Sequence, residues 1–520
     1  MQAISSTLAN WRATIRVFAQ AKVIALLFLG FSAGVPLLLI FSSLSLWLRE
    51  AGIERSAVTY FSWAALAYSF KFVWAPLIDR VPVPWLTHLL GRRRAWMLVS
   101  QFSIMLAIVW MANTDPALGG SALTTMAMAA VMLGFSSATQ DIAIDAYRIE
   151  SAATELQALM SATYVAGYRI GMLVAGAGAL YLASFYGSES GAYSYAAWQA
   201  TYLTMAMVMW VGIVTTILIV EPKVVENLPQ QDQAGLRQYV SLLVTFVLAV
   251  GAFITSFVLT SAWSSSALAE GAPVVGFLVE VARFSVACVA TVFVALVLVR
   301  VNFLPRELLL ATYVMPVREF FARYGVGIAW LLLSLIAFYR ISDIVLGVIA
   351  NVFYQDLGFS KIEIANIVKT FGLAMTIVGG FAGGVLAHRF GVMRILFVGA
   401  LLTVVTNLLF IALAVVGRDE LLLYAVISAD NLTAGLASAA FIAFLSSLTS
   451  VRFTAVQYAI FSSLMTLLPK VLGGYSGTVV DNFGYVNFFI AAALIGLPAL
   501  VLVWLVNQRV EIQELSQLDR

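Results

Sequence analysis

The sequence predicts an all-α integral membrane protein of about 14 transmembrane helices, with two bundles of six and two extra helices between them. Composition indicates the class, because 62% of the 520 residues are hydrophobic, 11% are charged and the mean hydropathy is +0.97. A soluble domain carries roughly 25% charged residues. Apolar runs of transmembrane length recur along the chain, and the first six and the last six share a basic loop at the same position.

The apolar runs define each helix in turn, since about 20 apolar residues cross a bilayer. The first bundle is predicted at 22–47, 57–78, 96–113, 122–147, 159–184 and 198–220. The extra pair follows at 238–262 and 274–299, and the second bundle at 325–353, 362–387, 394–416, 421–447, 453–479 and 485–507. The predicted domains are the first bundle at 1–220, a linker with the extra pair and an interfacial helix at 221–324, the second bundle at 325–509 and a tail at 510–520.

Composition also excludes several classes of function. A net charge of +3 is too small to indicate a nucleic-acid partner, and the single cysteine, Cys288, excludes an internal disulfide and a cysteine-based metal site. The two histidines, His88 and His388, lie in loops without the spacing of metal ligands. We therefore expect no enzyme activity, no metal and no cofactor.

The basic residues predict the orientation, since cytoplasmic loops collect Lys and Arg. With the N-terminus inside, the loops on that side hold Arg80, Arg92, Arg93, Arg94, Arg148, Lys223, Arg237, Arg300, Arg306, Arg318, Arg323, Arg389, Arg394, Arg452 and Arg509. The loops on the opposite side hold Arg49, Arg55, Lys361 and Arg418. Both termini are predicted to be cytoplasmic.

Three charged residues interrupt the fourth apolar run. Asp141, Asp145 and Arg148 are spaced by four and three, which places them on one stripe of a helix. An ionised group at bilayer depth costs at least ~2.5 kcal/mol and is retained where it lines a water-filled path or pairs with a partner. This stripe indicates a transporter.

A carrier driven by protons needs a carboxylate that gains and loses a proton as access changes. Asp141 and Asp145 are the candidates, with Arg148, Lys71 and Arg169 as counter-charges. Alternatively, Asp145 and Arg148 form only an ion pair that closes the helix end.

Basic and aromatic residues at the same depth are candidates for substrate binding. Lys71, Arg169 and Lys369 lie within apolar spans and could hold carboxylates. For Arg169, a structural ion pair with Asp141 is as good an interpretation as substrate binding. Aromatic rings with a polar group can stack on sugars and bind their hydroxyls. The candidates near the charges include Tyr68, Trp74 and Tyr168. Ordinary packing in the bundle explains these rings as well.

The second bundle carries charges with structural explanations. Arg340 and Asp343 are three apart and could neutralise each other, and Asp430 could pair with Lys470 across helices. Charge pairing or gating is the role we expect for these four residues.

The repeated loop provides a family signature. After the second helix of the first bundle comes Pro76-Leu77-Ile78-Asp79-Arg80, followed by Gly91-Arg92-Arg93-Arg94, and the equivalent loop of the second bundle is Gly384-Val385-Leu386-Ala387-His388-Arg389-Phe390-Gly391. Both resemble the loop between helices two and three in each half of the major facilitator superfamily. The first copy has an insertion at 81–90, and the second has His388 in place of the aspartate. The resemblance implies gating roles for Asp79 and Arg80.

Further segments resemble the AmpG-type muropeptide permeases. They are Gly30-Phe31-Ser32-Ala33-Gly34-Val35-Pro36, Phe70-Lys71-Phe72, Ser137 with Thr139-Gln140-Asp141-Ile142, Gly167-Tyr168-Arg169, Lys369-Thr370 and Gln457-Tyr458-Ala459. The resemblance implies a proton-coupled importer of N-acetylglucosaminyl-1,6-anhydro-N-acetylmuramyl peptides for peptidoglycan recycling, working by alternating access in the bacterial inner membrane. It adds Gln140 to the substrate-binding candidates. The expected partners are this substrate, protons and membrane lipid, and we expect a monomer.

A second transport function remains open. A related carrier for acetyl-CoA or another organic anion would use the same basic residues. Uptake of labelled anhydromuropeptide compared with acetyl-CoA would separate the two.

Overall fold

The computed structural model describes residues 20–53, 61, 66–188, 193–222, 235–263, 273–360, 363–473 and 476–510. Within these ranges the regular secondary structure is helical, without strands. Thirteen helices in this part of the chain are long and apolar enough to cross a membrane. The predicted all-α membrane class is confirmed.

The helices of the first half follow the predicted spans. They are α1 (Ala21–Ile40), α2 (Ser42–Glu50), α3 (Leu66–Phe70), α4 (Ala75–Arg80), α5 (Leu86–Leu90), α6 (Arg92–Ala112), α7 (Gly120–Ser151), α8 (Thr154–Leu173), α9 (Ala179–Phe185), α10 (Tyr195–Val208) and α11 (Trp210–Leu218). A turn of 3-10 helix, Lys71–Val73, separates α3 from α4, and a π-helical turn, Val174–Gly178, joins α8 to α9. Most of the first part of the predicted span 57–78 lies outside the described residues, as do Arg55, Lys223 and Lys361 of the orientation argument.

The remaining helices form the extra pair and the second half. They are α12 (Leu236–Leu259), α13 (Pro273–Arg300), α14 (Arg306–Leu309), α15 (Met315–Phe338), α16 (Ile341–Asp356), α17 (Gly372–Phe390), α18 (Val392–Val416), α19 (Glu420–Ser447), α20 (Thr454–Gly473) and α21 (Ser476–Arg509). Two of them are kinked at glycines with positive φ, α15 at Gly325 (φ 72°) and α21 at Gly484 (φ 77°). A π-helical turn, Ile364–Phe371, precedes α17.

The chain divides into two compact units. One contains Met1–Val224 and Arg323–Arg520, and the other contains Val225–Ala322. The ranges predicted for the two six-helix bundles, 1–220 and 325–509, fall in the first unit, and the extra pair α12 and α13 falls in the second.

Each half has an aromatic core of its own. In the first half the rings of Trp47 and Trp198 stack with centroids 5.6 Å apart, and Tyr202 lies 4.7 Å from Trp47. In the second half Phe353 packs 4.8 Å from Phe489. Each of the two hydrophobic clusters that contain these rings is built from buried side chains of one half.

Glycines allow α1 and α8 to pack backbone against backbone. A Cβ at Gly167 would lie 1.9 Å from the carbonyl oxygen of Leu27, and one at Gly34 would lie 2.0 Å from that of Tyr168. No side chain fits at such distances, so this contact requires glycine. It places Tyr164, Tyr168 and the neighbouring residues of α8 directly against α1.

We expect Gly167→Ala to destabilise the protein by roughly 1–3 kcal/mol, because the added methyl group forces the α1 and α8 backbones apart. Gly327→Ala in α15 is the matched control, since a Cβ there has open space. Thermal unfolding of both purified variants in detergent measures the difference. Equal melting temperatures would show that the close approach contributes no stability.

Candidate functional site

The charged stripe predicted in the fourth span lies on α7. Gln140, Asp141, Asp145 and Arg148 are all buried, with Gln140 and Arg148 fully inaccessible. The helix runs unbroken through this segment, so the stripe faces the protein interior and not lipid.

Asp145 lies between two cations. Its carboxylate is 3.7 Å from Nζ of Lys71 and 3.3 Å from Nη2 of Arg148, and all three side chains are buried. The 3-10 turn Lys71–Val73 places the lysine here, because it interrupts the helix and directs residue 71 toward α7.

Within the described part of the chain, no ion pair joins Asp141 to a cation. Its electrostatic neighbours there are Lys71 and Asp145, with the hydroxyl of Tyr164 beside it, and its buried Oδ1 atom has no hydrogen-bond partner among the same residues. The two carboxylates therefore share one lysine.

The polar tips of the aromatic candidates are occupied by neighbouring hydroxyls. Tyr68 donates to Ser137 Oγ at 2.6 Å, and Trp74 Nε1 donates to Thr139 Oγ1 at 3.1 Å. Gln140 Nε2 donates to Ser32 Oγ on α1 at 3.0 Å, while none of the residues that the structure describes donates to its carbonyl oxygen. These side chains are thus held in place around the carboxylates. Tyr168 is half-buried, with its ring 6.1 Å from that of Tyr164.

Arg148 joins the two halves of the protein. It donates to Ser446 Oγ of α19 at 2.7 Å, and its guanidinium lies 5.1 Å from the ring centroid of Tyr458 on α20. On its own side it donates to Gln157 and Ser161, each at 3.2 Å. The same arginine therefore contacts Asp145 and the opposite half.

Asp79 makes a second link between the halves. Its Oδ1 accepts from Arg93 Nη2 at 2.7 Å, and its carboxylate also accepts from the backbone N–H groups of Ala455, at 3.3 Å, and Val456, at 3.0 Å. These N–H groups belong to the first turn of α20, where a negative charge is favourable. Asp79 thus caps a helix of the second half. Arg80 is half-buried at the end of α4.

Two glutamates complete this network. Glu150 binds Arg93 through two oxygens, with the shortest distance 2.5 Å, and both side chains are buried. Glu221 accepts from the backbone N–H groups of Arg93 at 2.8 Å and Arg94 at 3.1 Å. Burial raises the pKa of the Glu221 carboxyl, although these N–H groups and the charge of Arg93 act in the opposite direction. Arg92 donates to the backbone carbonyl of Asp79.

A second group of charged residues lies on α8, on α19 and at the start of α16. Arg340 forms an ion pair of 2.5 Å with Asp343 and donates to Ser438 of α19. Asp430 interacts electrostatically with both members of that pair. Arg169 of α8 interacts with Arg340 and Asp343, so its charged neighbours differ from the Asp141 partner considered above.

The last two predicted residues have different outcomes. Lys369 lies in the π-helical turn Ile364–Phe371, is exposed, and forms no ion pair with any residue that the structure describes. The side chain of Lys470 lies outside the described residues, so its pairing with Asp430 stays a prediction.

Solved structures with the same architecture include two transporters. The proton:xylose symporter XylE bound to 6-bromo-6-deoxy-D-glucose matches with a TM-score of 0.59 and 12% identity, covering 93% of this chain and 94% of its own. The human organic anion transporter MFSD10 matches with a TM-score of 0.52 and 13% identity, covering 93% and 99%. A family model described as Major Facilitator Superfamily matches residues 331–520, and one described as Acetyl-coenzyme A transporter 1 matches 22–241.

The sequence relatives extend over nearly the whole chain. Putative transporter AmpG 4 of Rickettsia felis is 29% identical over 497 residues, which is 96% of this chain and 99% of the relative. Anhydromuropeptide permease of Escherichia coli strain K12 is 28% identical over 498 residues, covering 96% and 82%. The chain has the fold of the major facilitator superfamily and resembles its AmpG-type permeases. These matches support a multi-pass membrane transporter.

Sequence reasoning missed the residues that complete the network between the halves. Glu150, Glu221, Ser446 and the N-terminus of α20 are far from their partners along the chain, and a residue's partner across a bundle leaves no local pattern. One signal was available for Glu150. It follows Arg148 on the same buried helix end, and an acidic residue in that position needs a cation.

We expect Glu150→Gln to lower the free energy of unfolding by about 3 kcal/mol, because it leaves the buried charge of Arg93 with one carboxylate in place of two. Glu363→Gln is the matched control, since Glu363 pairs with Arg418 at 2.9 Å on the surface, where ion pairs contribute little. Denaturant unfolding in detergent compares the two. An equal loss of unfolding free energy in both variants would show that the ion pairs of Arg93 contribute little to stability.

Proposed function

We propose that this protein imports N-acetylglucosaminyl-1,6-anhydro-N-acetylmuramyl peptides from the periplasm to the cytoplasm, coupled to protons, for peptidoglycan recycling. The similarity over 96% of the chain to the relative named anhydromuropeptide permease supports the substrate class. The buried cluster of Asp141, Asp145 and Lys71 carries the proposal of proton coupling.

Asp141 is the proton carrier in this proposal. Asp145 lies within 3.7 Å of two cations, whereas the cation that interacts with Asp141 is Lys71, which is also the partner of Asp145. A buried carboxylate without its own cation gives up little electrostatic attraction when it accepts a proton. Ionised Asp141 competes with Asp145 for Lys71, and protonated Asp141 does not.

Arg148 carries this change to the opposite half. When Asp145 loses the attraction of Lys71, it depends on Arg148, and Arg148 is also the donor to Ser446. Protonation of Asp141 therefore alters the contact between Arg148 and Ser446, which joins the halves. Alternating access requires such a coupled contact to break and re-form.

The contacts of Asp79 and Arg148 lie on the side that the basic loops mark as cytoplasmic. In this arrangement both termini face the cytoplasm of a bacterium, the protein spans the inner membrane as a monomer among lipids, and the contacts close the inner mouth of the path. Lys71, Arg169 and Lys369 supply positive charge for the carboxylates of the substrate, and Gln140, Tyr68, Tyr168 and Trp74 lie around the same path.

A carrier for acetyl-CoA or another organic anion is the second candidate. The match of residues 22–241 to the family described as Acetyl-coenzyme A transporter 1 favours it. Proteoliposomes loaded with each labelled compound in turn, with and without a pH gradient, distinguish the two functions.

We expect Asp141→Asn to reduce gradient-driven uptake of labelled anhydromuropeptide into proteoliposomes to the level of vesicles without protein, because the asparagine cannot carry a proton. Asp481→Asn is the control, since Asp481 is exposed on α21. Normal accumulation by Asp141→Asn under a proton gradient would exclude Asp141 as the coupling residue.

A disulfide across the halves tests alternating access. A Cβ at position 384 of α17 would lie 2.7 Å from Cβ of Ala162 on α8, so cysteines at both positions need a shift of about 1 Å to bond. In a Cys288→Ser background, we expect the oxidised Ala162→Cys, Gly384→Cys variant to lose uptake and a reductant to restore it. Uptake by the oxidised form, with the disulfide verified by mass spectrometry, would contradict separation of the halves at this point.

A further inference from the structure

The segment that joins α19 to α20 carries two of the contacts between the halves. Ser446, in the last turn of α19, accepts from Arg148 of the first half at 2.7 Å. Backbone N–H groups in the first turn of α20 donate to the carboxylate of Asp79, also of the first half. We call residues 446–458 the gate segment. Both links depend on its shape, because each hydrogen bond acts over about 3 Å.

Hydrogen bonds within the gate segment connect its middle to α20. The side-chain carbonyl of Gln457 accepts from the backbone N–H of Ser450 at 2.8 Å. The backbone carbonyl of Ser450 in turn accepts from the N–H of Phe453 at 3.1 Å. All three side chains are buried. The turn before α20 is therefore held in place by Gln457.

Arg323 connects the two ends of the gate segment. Its Nη2 atom donates to the backbone carbonyl of Leu448 at 2.8 Å and to the side-chain carbonyl of Gln457 at 3.3 Å. Leu448 is the C-cap residue of α19, where carbonyl groups lack helical partners and a positive charge is favourable. One guanidinium therefore fixes the end of α19 relative to the start of α20.

The arginine itself comes from outside the two helices that it connects. It lies on α15, before the kink at Gly325, and it is the first residue of the chain after the unit Val225–Ala322. Its guanidinium lies 4.8 Å from the ring centroid of the buried Tyr324, and this cation–π contact helps to orient it. The end of the linker thus supplies the residue that shapes the gate segment.

We propose that Arg323 is a positioning residue for closure of the inner mouth. By fixing α19 relative to α20, it holds Ser446 and the first turn of α20 at the spacing that Arg148 and Asp79 require. Ordering the gate segment before the halves close reduces the entropy that is lost when the two links form. Arg323 therefore favours the closed state. The inference rests on the alternating access of the proposed function and adds a residue that controls it.

Disulfide formation between cysteines at positions 162 and 384 measures closure of the halves, because a Cβ at position 384 would lie 2.7 Å from that of Ala162. The assay uses the full chain in detergent, in a Cys288→Ser background, with a fixed concentration of oxidant. We expect Arg323→Gln to lower the rate of disulfide formation about fivefold, because it removes hydrogen bonds that hold the gate segment. Arg323→Lys should recover part of this rate, since its ammonium group keeps the charge and can still donate.

The matched control is Arg318→Gln, since Arg318 is exposed on the same helix. It should form the disulfide at the unsubstituted rate. If Arg323→Gln does not fold, Arg323→Lys is compared with Arg318→Lys, and a slower rate in the former alone is then expected.

A double-mutant cycle separates positioning from a general loss of stability. Ser446→Ala removes the hydroxyl that accepts from Arg148, so in that background Arg323 has one link fewer to position. The combined variant should therefore lose less than the product of the two separate effects. Melting temperatures of the same variants measure stability apart from closure.

Three results would overturn the inference and leave the proposed function in place. They are an unchanged rate of disulfide formation in the Arg323 variant, an equal fall in the Arg318 control, and effects of Arg323→Gln and Ser446→Ala that simply multiply. Uptake by the disulfide-linked form would overturn alternating access and the inference with it. Absence of anhydromuropeptide uptake by the wild type would overturn the proposed substrate alone, since closure is measured without substrate.

Discussion

A charged side chain inside an apolar bundle must find an opposite charge or a donor, and this constraint organises the interior of the protein. Asp145 is satisfied twice, by Lys71 and Arg148, and Arg93 is satisfied by Asp79 and Glu150. Asp141 and Arg169 have electrostatic neighbours but form no ion pair with any residue in the described ranges. Unsatisfied groups of this kind are where a transported proton or anion has the most to gain by binding.

The same polar contacts connect the two halves. Each half has its own aromatic core, and the links described above run through Asp79, Arg148 and the close approach of Gly384 to Ala162. Hydrogen bonds to charged groups break and re-form at a modest free-energy cost when another partner is offered. Halves joined in this way can separate at one end while their cores stay packed, which is the motion that a carrier needs.

Much of the fold could be predicted from the sequence, because the membrane makes each span a local property. Twenty apolar residues must form a helix in lipid wherever they occur, and the helices α6, α7, α18 and α19 begin and end close to the predicted residues. The stripe of Asp141, Asp145 and Arg148 followed from helical spacing alone. The break at Lys71–Val73 did not, since nothing in the apolar run marks a change of helix type.

The partners of the charged residues were decided by tertiary structure. The sequence by itself determined the membrane class, the run of spans and which charges lie within them, since these depend on hydropathy and on spacing along one helix. It left open whether Arg169 faces Asp141, and in the folded chain the charged groups that interact electrostatically with Arg169 are Arg340 and Asp343. It gave no sign that Asp79 caps α20 or that Glu221 caps α6. The physical reason is that an ion pair or a cap acts over about 3 Å, so it depends on how distant helices are arranged in space and not on their order in the chain.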